Sequence, residues 1–100
     1  MANPNLNVIA EGGDGDMYGE GGNHFIHNVR RNPDIVHLVH DNQVYGLTKG
    51  QGSPTSSVGQ KTSLQLAGVT SIPSDPVAVA RSLGAALGAK ACSGDMQGTK

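Results

Sequence analysis

The sequence predicts an α/β fold: a partial parallel sheet with flanking helices, belonging to a larger domain. Three observations carry that reading. Two apolar runs, Leu6 to Ala10 and Ile35 to Val39, lead into two polar, glycine-bearing blocks, Gly13-Asp14-Gly15-Asp16 and Asp41-Asn42-Gln43-Val44-Tyr45-Gly46. A stretch of helical spacing, Gly22 to Arg31, lies between them and makes a βαβ unit. Asp14 and Asn42 then emerge at the carboxyl ends of neighbouring strands, where open α/β sheets place ligands.

The elements follow in order. Leu6 to Ala10 reads as a short buried strand. Glu11 to Gly22, dense in glycine and acid, reads as a loop. From Gly22 to Arg31, Phe25, Ile26 and Val29 are spaced at three and four, an apolar stripe. Arg30 and Arg31 fall in the last turn, where the macrodipole favours cations, and Asn32-Pro33 stops the helix. Ile35 to His40, rich in β-branched residues, is the second strand. Residues 50–73, rich in Ser, Thr, Gly and Gln, read as a long loop without periodicity. Asp75 is an N-cap with Pro76 at the first helical position. Val79, Leu83, Ala86 and Leu87 continue the helical stripe to Gly88, with Gly84 and Gly88 expected to allow close helix–sheet packing. Ala89 to Cys92 could begin a third strand.

Composition narrows the class. A hundred residues make one domain at most, since domains usually run to about 100–150 residues. Tyr18, Phe25 and Tyr45 are the only aromatic residues, so any core is aliphatic and built from small side chains. A net charge of −1 and no basic run argue against nucleic acid or a membrane surface as partner. The single cysteine, Cys92, allows no internal disulfide and reads as a buried small residue. The start, Met-Ala-Asn-Pro-Asn, lacks the features of a signal peptide, and no apolar run reaches the ~20 residues of a membrane span. The expected compartment is the cytoplasm.

The chemistry sits in the two blocks. An acidic residue and an amide oxygen converging on glycine-rich backbone suit a hard divalent cation that carries phosphates. Asp14 and Asn42 would supply side-chain oxygens, and the Val44 carbonyl a third ligand. Gly13 and Gly15 would let backbone N–H groups approach phosphate, as in anion-binding nests. Other motifs fail. A dinucleotide Gly-x-Gly-x-x-Gly from Gly13 requires glycine where Tyr18 stands, and the only lysine near a phosphate-loop pattern reads Thr48-Lys49-Gly50. A calcium loop from Asp14 would need glutamate where Phe25 stands. The pairs His24/His27 and His37/His40 lack a third zinc ligand. His24 and His27 share a helix face, whereas His37 and His40 point to opposite faces of a strand.

Three strings narrow the match: Gly21 to His27 with Arg30-Arg31-Asn32; Tyr45 to Gln51 running into Ser53-Pro54-Thr55-Ser56; and Pro76 to Ala89 followed by Ser93-Gly94-Asp95. With the Gly-Asp-Gly and the later Asn, the chain resembles the β subunit of 2-oxoacid:ferredoxin oxidoreductases, from about Ala2 to Asp95. The resemblance implies a fragment of a thiamine diphosphate-binding fold, one partial domain over residues 1–100 that holds the diphosphate and magnesium half-site. It implies magnesium on Asp14, Asn42 and the Val44 carbonyl, and cofactor contacts from Gly13, Asp14, Gly15, Asp16, Asn42, Val44 and Gly46. Leu47 and Lys49 would face the substrate, and no residue of this chain would be catalytic in its own right. It further implies oxidative decarboxylation of a 2-oxo acid, pyruvate or 2-oxoglutarate, to an acyl-CoA. The partners implied are an α subunit, CoA and ferredoxin, with iron–sulfur clusters in the parent complex and none in this chain. Asp41 departs from the pattern, standing where many thiamine diphosphate enzymes have a first Asn. The flanking cluster cysteines of the family are also missing. The alternative left open is a catalytically inactive, truncated fragment that binds a magnesium diphosphate.

Overall fold

The computed structural model describes residues 3–95 and 97, so a domain over residues 1–100 extends past the described residues at both ends. Strand β1, Val8–Gly13, pairs in parallel with β2, Ile35–His40, from Val8 opposite Ile35 to Gly13 opposite His40. β2 lies where its β-branched residues place it. β1 does not cover Leu6 to Ala10; it starts and ends later in the chain. The ladder sets its start. Asn32 turns left-handed (φ 46°) and Pro33 has no N–H to give, so β2 begins at Ile35, and the partner of Ile35 is Val8.

β1 is not fully buried either. Val8, Ala10 and Gly12 of β1 share a half-buried face with Ile35, His37 and Val39. On the opposite face Ile9, Val36 and Leu38 are 62%, 53% and 47% exposed. The covered face meets a π-helical turn, Gly15–Glu20, followed directly by helix α1, Gly22–Arg31.

That turn replaces most of the loop expected from Glu11 to Gly22, the rest being the end of β1. Glycine density argues for a loop, but packing outweighs propensity here. Met17 Sδ lies 3.0 Å from His37 Nε2. The Tyr18 and Phe25 rings meet edge-on at 5.2 Å, and Phe25 reaches the His37 ring at 6.0 Å. The Gly21 N–H donates to the Asp16 carbonyl at 2.6 Å, the wide bond that defines a π turn. α1 has the bounds its pattern predicts, with both arginines in the last turn. Its half-buried stripe runs through Phe25 and Val29, leaving Ile26 42% exposed.

After β2 a short antiparallel hairpin forms from β3, Val44–Tyr45, and β4, Gln51–Gly52. The remainder of the long loop contains no helix or strand and is tied by backbone bonds. Gly59 N–H donates to the Val69 carbonyl at 2.7 Å, Val69 N–H to Gln60 at 2.9 Å, and Ser74 N–H to Pro54 at 2.8 Å. Helix α2, Pro76–Ser82, starts where expected, the Asp75 carboxylate accepting from the Val77 and Ala78 N–H groups. It ends six residues before Gly88. Gly84 (φ 89°) reverses the chain, its N–H donating to Arg81 and the Ala85 N–H to Ala80, the paired bonds of a Schellman ending. Nothing lies within 4 Å of where a Gly84 Cβ would stand, so its role is conformational and not close packing. No strand forms at Ala89 to Cys92.

Gly59 and Gly68 both have positive φ, 82° and 94°, but only Gly68 is crowded, since its Cβ would stand 2.8 Å from the Gly59 carbonyl oxygen. Gly59→Ala is expected to cost only the left-handed penalty of about 1–2 kcal/mol. Gly68→Ala should cost distinctly more, because backbone and not a movable side chain blocks it. Urea denaturation midpoints of the two variants check the order.

Candidate functional site

Asp14 follows directly on β1 and turns the chain into helical geometry (φ −61°, ψ −38°). Its side chain is out of water, the residue being 1% exposed. The Ser53 hydroxyl donates to its Oδ2, and the Thr55 hydroxyl reaches the same oxygen at 2.6 Å. Both of these bonds fall on Oδ2. No basic side chain pairs with Asp14 among the described residues, where the single ion pair joins His40 to Glu11 at 2.6 Å. Burying a carboxylate without a compensating charge is costly. Two neutral hydroxyls on one oxygen compensate in part, and a cation on the other oxygen would complete the compensation.

The second block lies at the end of β2. Asn42 is exposed, and its Oδ1 accepts from the Val44 N–H at 3.2 Å, a long bond that leaves that oxygen a further lone pair. Between them Gln43 takes a left-handed φ of 61°. Its carbonyl accepts from Ser56 Oγ at 2.5 Å and from Gln60 Nε2 at 3.1 Å, which fixes the peptides that carry Asn42 and Val44.

A cavity of about 410 Å³ opens between the blocks. Every residue expected to meet cofactor or metal stands on its wall, Gly13 through Asp16 on one side and Asn42, Val44 and Gly46 on the other. Leu47 is there too, wholly exposed, whereas Lys49 lies outside the wall on the exposed turn of the β3–β4 hairpin. A Cβ on Gly13 or Gly46 would meet nothing within 4 Å, so both glycines leave open room at the cavity. Gly15 serves a different purpose from Gly13. Its Cβ would stand 2.6 Å from the Tyr45 ring, and that of Gly19 would strike the Tyr45 hydroxyl. These glycines let Tyr45 lie against the π turn.

The donor set fits a hard cation bound together with a diphosphate. One carboxylate, one amide oxygen and one carbonyl leave positions for phosphate oxygens and water in octahedral geometry. Among the described residues no group of three or more His, Cys, Asp or Glu is placed to hold a metal unaided. Two of the histidines are engaged elsewhere, His37 on Met17 and His40 with Glu11; His24 is exposed, and His27 Nδ1 is buried without a hydrogen-bond partner among the described residues. Cys92, expected to be buried, is exposed.

Sequence reasoning missed Ser53, Thr55 and Ser56, which with Asp14 are among the most buried residues of the chain. The available signal was a proline-fixed turn flanked by hydroxyls, and it reads locally as an ordinary loop. It also missed Glu20, Tyr45 and Thr48 on the cavity wall. Burial raises the Tyr18 phenol above its ordinary value, helped by the charges of Asp41 and Asp14. Burial likewise raises Tyr45, helped by Glu20 and Asp14.

Residues 1–98 match the family described as thiamine pyrophosphate enzyme, C-terminal TPP binding domain. The chain is 58% identical over 62 residues to a 2-oxoacid:ferredoxin oxidoreductase subunit beta of Saccharolobus solfataricus, covering 62% of this chain and 20% of that protein. It is 42% identical over 98 residues to the 2-oxoglutarate oxidoreductase subunit KorB of Mycobacterium tuberculosis, covering 98% of this chain and 26% of that protein. A solved structure of 2-oxoglutarate:ferredoxin oxidoreductase from Magnetococcus marinus, with 2-oxoglutarate, coenzyme A and succinyl-CoA bound, superposes with a TM-score of 0.80 at 39% identity. That match covers 84% of this chain and 29% of the other. In these three matches the chain spans 20%, 26% and 29% of the other protein.

Both phenols should ionise above the ordinary tyrosine value of about 10, and Asp14→Asn should move both downward, because Asp14 contributes to each shift. A raised folded-state value means that the stabilisation is complete below the unfolded phenol value and is lost as pH rises through the folded one. Ultraviolet difference titration of the two tyrosines checks the shifts, and parallel melting curves above pH 10 check the sign.

Proposed function

The chain belongs to the thiamine pyrophosphate enzymes through their C-terminal TPP-binding domain, and from that premise we propose that it is the thiamine diphosphate- and magnesium-binding part of a 2-oxoacid:ferredoxin oxidoreductase β subunit. The observation that carries the proposal is the state of Asp14. It is buried, lacks a cationic partner among the described residues, and stands on a cavity shared with Asn42 and Val44. The likeness to β subunits of such oxidoreductases supports the same reading.

In this reading Asp14 Oδ1, Asn42 Oδ1 and the Val44 carbonyl hold magnesium. The Gly15 and Asp16 N–H groups meet the diphosphate, and Gly13 and Gly46 keep side chains out of its way. Thiamine diphosphate, when bound, supplies a carbanion nucleophile for a 2-oxo carbon and a sink for the electrons left when CO2 departs. The α subunit completes the cofactor site, CoA accepts the acyl group, and ferredoxin takes the electrons through clusters held outside this chain. Leu47 borders the substrate with an apolar surface. Lys49 extends from the hairpin turn to the substrate carboxylate, which favours 2-oxoglutarate, with its second carboxylate, over pyruvate. The expected setting is the cytoplasm; no helix among the described residues is long and apolar enough to cross a membrane.

Asp14→Asn removes the only carboxylate of the ligand set and should abolish retention of thiamine diphosphate, measured by cofactor quantification after gel filtration. Lys49→Ala should leave cofactor content unchanged while lowering kcat/KM for 2-oxo acids by ~10- to 150-fold, the worth of one charge-assisted hydrogen bond. Steady-state kinetics across several 2-oxo acids measure it, and unchanged kinetics for every one would remove Lys49 from the substrate site.

A further inference from the structure

Four of the most deeply buried residues in the chain are polar and touch one another. Asp14, Ser53, Thr55 and Ser56 are between 1% and 8% exposed. Their bonds run in one direction, from the Ser53–Ser56 turn towards the ends of both parallel strands. Ser53 and Thr55 hold Oδ2 of Asp14, at the end of β1. Thr55 Oγ1 also lies 2.7 Å from Oδ1 of Asp41, just past β2, so its single proton is shared between the two carboxylates. Ser56 donates to the Gln43 carbonyl, between Asn42 and Val44, and its Oγ accepts from the Ser53 N–H at 2.7 Å, closing the turn on itself.

We infer that Thr55, with Ser53, is a positioning residue for the cation site: it holds the Asp14 carboxylate by Oδ2, so that Oδ1 faces the metal, and ties that carboxylate to the end of the second strand through Asp41. This rests on reading Asp14 as a cation ligand. The geometry leaves the carboxylate little freedom. With two hydroxyls converging on one oxygen of a residue that is 1% exposed, rotation of the carboxylate would break both bonds. Buried polar atoms without partners are costly, so the held rotamer is strongly preferred. Asp41 keeps the Thr55 side chain turned towards the strands, and Ser53 supplies a second proton to Asp14. Partners of this kind orient metal ligands, and their loss typically weakens metal binding ~10- to 100-fold.

The bland alternative is that Thr55 merely fills space with its methyl group. The two roles reverse the order of two substitutions. Thr55→Val keeps the volume and loses the hydroxyl; Thr55→Ser keeps the hydroxyl and loses the methyl. The test titrates Mn2+, with thiamine diphosphate present, into the metal-depleted full protein that carries this chain, reading bound ion by electron paramagnetic resonance and folding by thermal melting. The expected result is a ~10- to 100-fold weaker Mn2+ affinity with a broadened bound-ion signal in Thr55→Val, and wild-type binding in Thr55→Ser. Ser53→Ala is the second variant, used where valine is not accommodated, and should weaken binding in the same direction. If Thr55→Val binds Mn2+ as wild type while Asp14→Asn does not, the positioning role is overturned and the cation site stands. If Thr55→Ser weakens binding as much as Thr55→Val, the methyl and not the hydroxyl matters, and the inference is again overturned. If Asp14→Asn itself binds Mn2+ normally, the cation reading falls and takes this inference with it.

Discussion

The carboxylate of Asp14, withdrawn from water and held by two hydroxyls on a single oxygen, is the interaction on which the arrangement of this chain depends. Among the described residues the buried hydrophobic side chains are those of Val69 and Ala80, while Asp14, Ser53, Thr55 and Ser56 are buried and polar. In most small domains an apolar core organises the fold and polar groups accommodate to it. Here the best-excluded region is a polar cluster that joins the end of β1, the end of β2 and the turn at Ser53 to Ser56. Such a cluster specifies geometry well when every partner is present and is costly when one is missing. A cation bound as proposed would offset the Asp14 carboxylate. Any ligand that binds the folded form alone adds stability in proportion to the logarithm of its concentration over its dissociation constant.

The sheet makes the same point from the other side. One face of the β1–β2 pair is covered by the π turn and α1, and the other presents Ile9, Val36 and Leu38 to solvent. Parallel strands are found almost exclusively with both faces covered. A two-stranded parallel sheet also lacks the neighbours that ordinarily share its hydrogen-bonding edges. The exposed apolar side chains of this face are thus of the kind that further structure covers, in keeping with a chain that spans 20% and 26% of two of its relatives. The ladder holds the strand ends up to Gly13 opposite His40, and the polar cluster holds the residues just beyond them.

Local signals were legible and long-range ones were not. α1 and β2 have their predicted bounds because the evidence for them is carried by adjacent residues: the stripe, the arginines and Asn32-Pro33 for one, the β-branched run for the other. β1 shifted because its limits are set by its pairing with a strand beyond the crossover, which no window on Leu6 to Ala10 contains. The π turn escaped notice because six residues that read as a loop gain their partners, Phe25 and His37, from other elements. α2 ends short of the stripe that runs to Gly88 because Gly84 takes a left-handed φ, and a glycine within such a stripe is equally the mark of a helix end. The two cavity-facing blocks were legible from their residue types. The hydroxyls behind Asp14 were not, since Ser53 and Thr55 lie 39 and 41 residues further along the chain.

The two walls of the cavity are also joined by packing. Tyr45, on the hairpin, lies so close to Gly15 and Gly19 of the π turn that neither position could carry a Cβ without a shift. Asp14 precedes that turn and Val44 precedes Tyr45, so the contact holds together the segments that bear the proposed ligands. The Thr55 hydroxyl, its one proton shared between Asp14 and Asp41, links the same two walls on the strand side. One tie is the packing of an aromatic ring against glycine backbone, the other a hydroxyl between two carboxylates. Displacing either wall must break one kind of contact without relieving the other, which is why two short, glycine-rich segments can hold a defined cavity between them. The glycines at 15 and 19 belong to that frame, whereas those at 13 and 46 keep the space within it open.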